Sequence, residues 1–302
     1  MDTRQRSVIK IIEPESVVEG AGVRLKRTIA TQTLDHLDPF LLFDHFASTR
    51  PEDYQAGFPL HPHRGIETVT YVLAGEVRHK DTLGNEGSIG AGDVQWMTAA
   101  GGLLHEEMPQ VRPEGIAGFQ LWVNMPAKLK MTPPRYQDIR SNAIPDIQRG
   151  DGVRIRVVAG TVDALPAERQ GVSGPISGIP VDPTYLDVLV PAHGSFTYPI
   201  PRGHTAFAYV FEGEGVFARD ENGGGNRISE TRLVVWADGD YVKVETSDQP
   251  VRFLLIAGKP LREPIARYGP FVMNTQEEIA QALADLRRGT FVWSETSPPV
   301  TP

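Results

Sequence analysis

Apolar positions along the chain fall mostly in short runs that suit strands. Glu67–Val77, Val94–Met97 and Gly118–Asn124 are rich in Val, Thr, Tyr, Trp and Ile, the residue types that fit a pleated, half-buried surface. Similar runs recur at Val153–Val158, Ala206–Phe217, Thr231–Trp236 and Val251–Ile256. Gly and Pro separate them at short intervals, as turns between strands require. Long amphipathic helical patterns are nearly missing. The exception is Thr275–Arg288, where Thr275 can cap, Glu278 stands three residues on and Gly289 stops the helix. Ile279, Leu283 and Leu286 recur on one face, so this helix is expected to lie against a sheet. The stretch Ser294–Pro302 is polar and proline-rich and is expected to be disordered. The pattern is that of an all-β protein with a helical appendix.

An internal repeat divides the strands into two sets. His61-Pro-His-Arg-Gly65 is answered by Pro199-Ile-Pro-Arg-Gly203, and Thr70-Tyr-Val-Leu-Ala-Gly75-Glu76 by Ala208-Tyr-Val-Phe-Glu-Gly213-Glu214. Both matches share one offset of 138 residues, from 61 to 199 and from 75 to 213. Gly92-Asp93 then answers Gly239-Asp240 at an offset of 147. The added length fits an enlarged hairpin loop around Asn222–Asn226. Two similar β-domains in tandem are the expected organisation.

Composition narrows the function. The 302 residues contain no Cys, which excludes disulfides, thiolate nucleophiles and Cys-based metal sites. Lys and Arg number 30 against 38 Asp and Glu, a formal charge of −8, and no dense basic run is present. Direct binding of DNA or RNA through many phosphates is therefore not expected. The first twenty residues hold no long apolar stretch, so neither a signal peptide nor a membrane anchor is expected, and the expected location is cytoplasmic. Walker, dinucleotide-binding and GxSxG motifs are absent from the sequence, which leaves nucleotide-driven and serine-hydrolase chemistry without support.

The remaining chemistry concentrates in the first repeat. His61 and His63 are two apart, so on an extended segment both side chains leave one face. His105 and Glu107 repeat that spacing. Three imidazoles and a carboxylate converging inside a barrel would hold one divalent first-row metal, with Fe(II), Mn, Co, Ni and Zn all compatible with nitrogen and oxygen donors. The second repeat lacks both pairs: Pro199 and Pro201 replace the first, and Arg252 and Leu254 stand where the second would fall.

The residues carrying this pattern resemble the pirin family of bicupins. The resemblance rests on His61-Pro-His63-Arg-Gly-Ile-Glu-Thr-Val-Thr-Tyr71, Gly92-Asp-Val-Gln-Trp-Met-Thr-Ala99 and Leu104-His-Glu-Glu-Met-Pro109. Asp38–Phe46, Gly118–Asn124 and Tyr268–Asn274 are similar to pirin segments too, and the likeness runs from about residue 8 to 290. It implies two cupin (jelly-roll) barrels facing each other, with a short C-terminal helix. The corresponding division is a metal-binding N-terminal cupin over 1–130, a linker over 131–152, a C-terminal cupin without metal ligands over 153–262, and a helix and tail over 263–302. It further implies the ligands His61, His63, His105 and Glu107, iron as the usual metal, and quercetin 2,3-dioxygenase activity on a flavonol with dioxygen. Glu107 would then serve as ligand and general base. The alternative implied for eukaryotic members is a metal- or redox-sensing module that regulates a partner protein without turnover.

Several residues stay ambiguous on spacing. General cupins take their carboxylate ligand from the first motif, where Glu67 lies four residues after His63. Alternation alone therefore leaves Glu67 and Glu107 both open, and the family resemblance favours Glu107. Glu106 should alternate to the opposite side. Asp44 and His45 could close the mouth of the metal cavity, or sit as spacers among Phe40, Phe43 and Phe46. Gln120, Trp122 and Asn124 share one strand face, opposite Phe119, Leu121 and Val123, and either set could point inward. Trp96 and Met97 could line the cavity or pack the core. His193 and His204 in the second repeat read as structural.

Overall fold

The computed structural model describes residues 3–163, 171–219 and 224–294. The expected strands form with small shifts in their ends: Val94–Thr98, Ile116–Asn124, Arg154–Ala159, Arg232–Trp236 and Val251–Gly258. Glu67–Val77 is not one strand but two, Ile66–Ala74 and Glu76–Asp81. Gly75 between them has φ +79°, and a Cβ there would run into the Gly115 carbonyl. Its counterpart in the second repeat remains a single strand, Thr205–Phe217, with a register shift between Val210 and Glu212. Positions 222–223 of the expected hairpin loop and 295–302 of the expected disordered tail lie outside the described residues. Among the described residues no helix is long and apolar enough to cross a membrane.

The chain forms two compact units, and they are not separated in simple chain order. One unit holds Glu15–Ser141 together with the chain from Leu261 onward; the other holds Asn142–Pro260 together with the chain up to Pro14. A division at 130, 152 and 262 therefore misses both termini. Val8–Ile12 pairs antiparallel with Arg232–Trp236, a partner choice that local patterning does not encode. The C-terminal helix belongs to the first unit instead of forming a separate appendix.

In the first unit two antiparallel sheets enclose the interior. The larger has seven strands in the order Arg135–Ile139, Val94–Thr98, Ile66–Ala74, Ile116–Asn124, Phe40–Ser48, Val23–Ile29, Glu15–Glu19. The smaller has four, Phe58–His63, Leu103–Gln110, Glu76–Asp81 and Glu86–Gly90. Helix Gln276–Arg288 starts with a complete capping box between Thr275 and Glu278 and ends at Gly289 in the left-handed conformation. Its Ile279 and Ala282, with Leu283 and Leu286, pack on Ala266, Phe271, Met273 and Phe291. The surface it covers is chiefly the hairpin Ala266–Tyr268/Phe271–Met273, and Leu104 of the smaller sheet joins the same cluster. The second unit is built on a ten-stranded antiparallel system. Its interior is filled by a continuous apolar cluster in which Phe196, Phe217, Trp236 and Phe253 interlock.

One turn connects the two sheets of the first unit directly. Strand Phe58–His63 ends at His63, Arg64 and Gly65 turn the chain, and Ile66–Ala74 begins in the larger sheet. Gly65 has φ +80°, and any Cβ there would collide with the Val272 carbonyl. The buried Arg64 guanidinium donates to Asp285 Oδ2 at 2.7 Å and to the Phe291 carbonyl at 2.8 Å, and lies over the Phe291 ring. Lys130, also buried, donates to the Gly65 carbonyl at 2.8 Å, Asn124 Oδ1 at 2.6 Å and the Val272 carbonyl at 2.7 Å. Burial draws its pKa down to about 7, and the three acceptors favour the protonated form that satisfies all of them. Lys130→Met would take this donor from the buried Gly65 and Val272 carbonyls and leave Asn124 Oδ1 with only the Met125 N–H. It should lower the stability of the protein by about 3 kcal/mol in urea unfolding, and an unchanged midpoint would show that this contact is dispensable.

Candidate metal centre

The three histidines converge because two strands place them in register. His61 on Phe58–His63 stands opposite His105 on Leu103–Gln110, and paired residues of an antiparallel ladder project to the same side. His63, two residues after His61, follows on that side. The ring centroids lie 4.8 Å (His61–His63), 4.5 Å (His61–His105) and 5.1 Å (His63–His105) apart. One nitrogen from each ring falls within 4.8 Å of the others. His61 engages the Pro59 carbonyl through Nδ1 at 3.0 Å, which leaves Nε2 for the cluster. His63 Nδ1 and both nitrogens of His105 are buried without a hydrogen-bond partner, an arrangement that is rare unless something else satisfies them. Burial, then the neighbouring imidazoles, drive the pKa values of His63 and His105 well below the ordinary histidine value. Both rings are neutral at pH 7, with lone pairs available to a cation. The donor chemistry fits a first-row divalent ion.

The two candidate carboxylates separate cleanly. Glu107 follows His105 on the same strand and stands opposite His79 on Glu76–Asp81. Its carboxylate lines the same cavity as His61 and His63, and Thr70 Oγ1 lies 3.1 Å from its Oε1. Burial raises its pKa, opposed by His61, the Thr70 hydroxyl and His79. Glu67 instead accepts hydrogen bonds from Trp96 Nε1 at 3.0 Å and Thr98 Oγ1 at 2.9 Å. It alternates along Ile66–Ala74 with the cavity-lining Thr70 and so occupies the opposite face. Counting four residues from His63 fails because the Arg64–Gly65 turn resets the alternation between strands. Glu106 pairs with Lys80 and alternates away from His105 and Glu107, as expected.

His61 and His63 open onto a cavity of about 510 Å³. Val23, Leu25, Tyr54, Val77 and Ile116 form its apolar part. From the larger sheet, Gln120 and Trp122 face inward, whereas Phe119, Leu121 and Val123 are buried on the other side. Trp122 meets His63 edge-on, with 5.1 Å between ring centroids. Asp44 lines the cavity, both its oxygens held by Arg27 at 2.8 and 2.7 Å. His45 points away from it and lies against Phe119, with its pKa lowered to about 4 chiefly by burial. Trp96 and Met97 are core residues outside the cavity lining. Sequence reasoning missed Thr70 and His79. His79 is buried between Tyr136 and Asp138, its Nε2 3.6 Å from Asp138 Oδ2. Only its alternation with exposed Arg78 and Lys80 marked it as inward-facing. Among the described residues, the three histidines are the one group of three or more His, Asp or Glu close enough to hold a metal. His193 in the second unit is exposed beside Asp248, and His204 is half-buried, its carbonyl accepting from Arg6.

Comparison with known proteins agrees with this layout. The pirin profile matches residues 22–123, and the profile of the pirin C-terminal cupin domain matches 185–292. A protein of Pseudomonas aeruginosa that carries the provisional name quercetin 2,3-dioxygenase is 44% identical over 287 residues, covering 95% of this chain and 98% of its own. Human pirin is 42% identical over 291 residues, covering 95% and 94%. The crystal structure of quercetin 2,3-dioxygenase from Acinetobacter baumannii superposes with a TM-score of 0.81 at 35% identity, covering 95% of this chain and 99% of that one.

The placement of Glu67 has a measurable consequence. Its pKa is raised to about 6 by burial, against the donors Trp96 and Thr98. The folded state therefore binds this proton more tightly than the unfolded chain, and stability from this group falls as pH rises from about 4.5 to 6. Relative to Glu67→Gln, the wild type should lose about 2 kcal/mol over that interval, as read from urea titrations at several pH values. The variant should keep its metal. Metal loss in Glu67→Gln would mean that Glu67, and not Glu107, completes the ligand set.

Proposed function

The chain belongs to the pirin family, with two cupin barrels in tandem, and from that premise we propose that it is a metal-dependent dioxygenase acting on a flavonol such as quercetin. The observation that carries this reading is the set of unpaired, buried imidazole nitrogens gathered at the wall of an aromatic-sized cavity beside a buried carboxylate. His61, His63, His105 and Glu107 would hold the ion, with iron(II) our assignment and Mn, Co, Ni or Zn chemically compatible with the same donors. When bound, such an ion supplies Lewis acidity toward the oxygens of a chelating substrate.

The remaining work falls to this chain's own side chains. Glu107 accepts the proton of the flavonol 3-hydroxyl, a carboxylate being a competent acceptor for a hydroxyl whose acidity a bound ion would raise. Thr70 lies within hydrogen-bond distance of both Glu107 and Gln120, at 3.1 and 2.6 Å, and fixes where the carboxylate receives that proton. The apolar part of the cavity keeps water from the deprotonated flavonol. Both atoms of dioxygen enter the products, and one ring carbon leaves as carbon monoxide.

Metal-loaded protein should consume oxygen and release carbon monoxide with quercetin, and metal-stripped protein should not. Glu107→Gln should lower turnover by about 100-fold or more even in excess metal, because the proton acceptor is gone. Fully metallated wild type that neither consumes oxygen nor releases carbon monoxide with flavonols would overturn the enzymatic reading in favour of a regulatory one.

A further inference from the structure

The cavity of the first unit is lined by two guanidinium groups, and they differ in what they leave free. Arg27 is fully engaged: Nε and Nη2 go to the two oxygens of Asp44, and Nη1 goes to Glu19 Oε1 at 2.6 Å. Arg267, on the short strand Ala266–Tyr268, forms no ion pair among the described residues. Its hydrogen bonds go to two backbone carbonyls at long range, Nη1 to Leu41 at 3.3 Å and Nε to Gly269 at 3.4 Å. Nη2 donates to no group among the described residues. Asp35, Asp44 and Glu19 act on Arg267 only from a distance, and the last two are already committed to Arg27.

Its position is set by an aromatic support. The guanidinium carbon lies 5.1 Å from the centroid of the Trp122 ring, and the same indole meets His63 edge-on. Arg267 is thus separated from the histidine cluster by one indole. It is half-buried, so a carboxylate or sulfonate reaching it meets a partly desolvated cation with free, planar donors, the setting in which charge-assisted hydrogen bonds are strong.

We propose that Arg267 is a specificity-determining residue that pairs with an anionic substituent on the substrate, so that the preferred ligand is an aromatic chelator carrying an acidic group and not a neutral flavonol. This rests on the aromatic-substrate reading above. The chelating oxygens lie at the histidine end, and the acidic group lies an aromatic ring or so away, against the Trp122–Arg267 stack.

The test is equilibrium binding to the full chain loaded with zinc, with quercetin and a quercetin sulfonated on its catechol ring as probes. Wild type should bind the sulfonate about tenfold or more tightly than quercetin, and added salt should erode that preference. Arg267→Gln should abolish the preference while leaving quercetin affinity within about twofold. Arg267→Lys, which keeps the charge but not the fork, should retain part of it. Equal affinities in wild type, or a preference that survives in Arg267→Gln, would overturn the role of Arg267 while leaving the flavonol reading intact. If neither probe binds the zinc-loaded protein, the flavonol reading fails and this inference fails with it.

Discussion

The turn at Arg64 and Gly65 carries the chain from the strand bearing His61 and His63 into the larger sheet, and buried donors hold it in place. Lys130 binds the Gly65 and Val272 carbonyls together with Asn124, and Arg64 reaches Asp285 and the Phe291 carbonyl. These contacts join three stretches distant in sequence: the metal-facing strand, the end of Ile116–Asn124 and the C-terminal hairpin and helix. A buried ammonium is costly unless its donors find acceptors; Lys130 meets three, so the turn has little freedom to shift. That rigidity matters because three imidazoles must present their nitrogens to one point, and a metal site tolerates little error in ligand position.

The same turn explains where sequence reasoning succeeded and where it failed. His61 with His63, and His105 with Glu107, lie two apart on uninterrupted strands, so their shared face was legible from alternation alone. Glu67 was ambiguous because the count from His63 crosses a turn, and strand parity does not survive a turn. The facing of Gln120 and Trp122 became clear only when Ile116–Asn124 paired with the strand bearing Thr70. His79 was hidden because its neighbours Arg78 and Lys80 give the strand the look of a solvated edge. The helix was readable to its caps, since a capping box and a terminal glycine are local signals. What the helix packs against, and the pairing of Val8–Ile12 with Arg232–Trp236, depend on partners at the other end of the chain.

The two repeats show how one scaffold supports opposite interiors. In the second, Pro199 and Pro201 remove the first ligand pair, and the strand answering Leu103–Gln110 is Tyr241–Glu245, which pairs with Ser195–Pro199 and carries no histidine. Arg252 and Leu254, expected at the second pair from the sequence offset, lie instead on Val251–Gly258, the counterpart of Ile116–Asn124. Arg252 turns to Asp187 and Glu212. Phe196, Phe217, Trp236 and Phe253 then close the space with apolar packing. In the first, polar side chains on the smaller sheet meet a partly apolar cavity, and the unsatisfied imidazoles remain. Burial of such groups is unfavourable without a counterpart, which is why we propose that a bound ion completes the first unit, whereas the described residues of the second hold no such cluster.

That claim is tested most directly by anomalous diffraction from crystals of the iron-loaded protein. One strong peak per chain is expected, at about 2 Å from nitrogens of His61, His63 and His105 and from a carboxylate oxygen of Glu107. A peak bound by Glu67, a second peak in the other unit, or no peak at the histidines in protein shown to contain iron would contradict it.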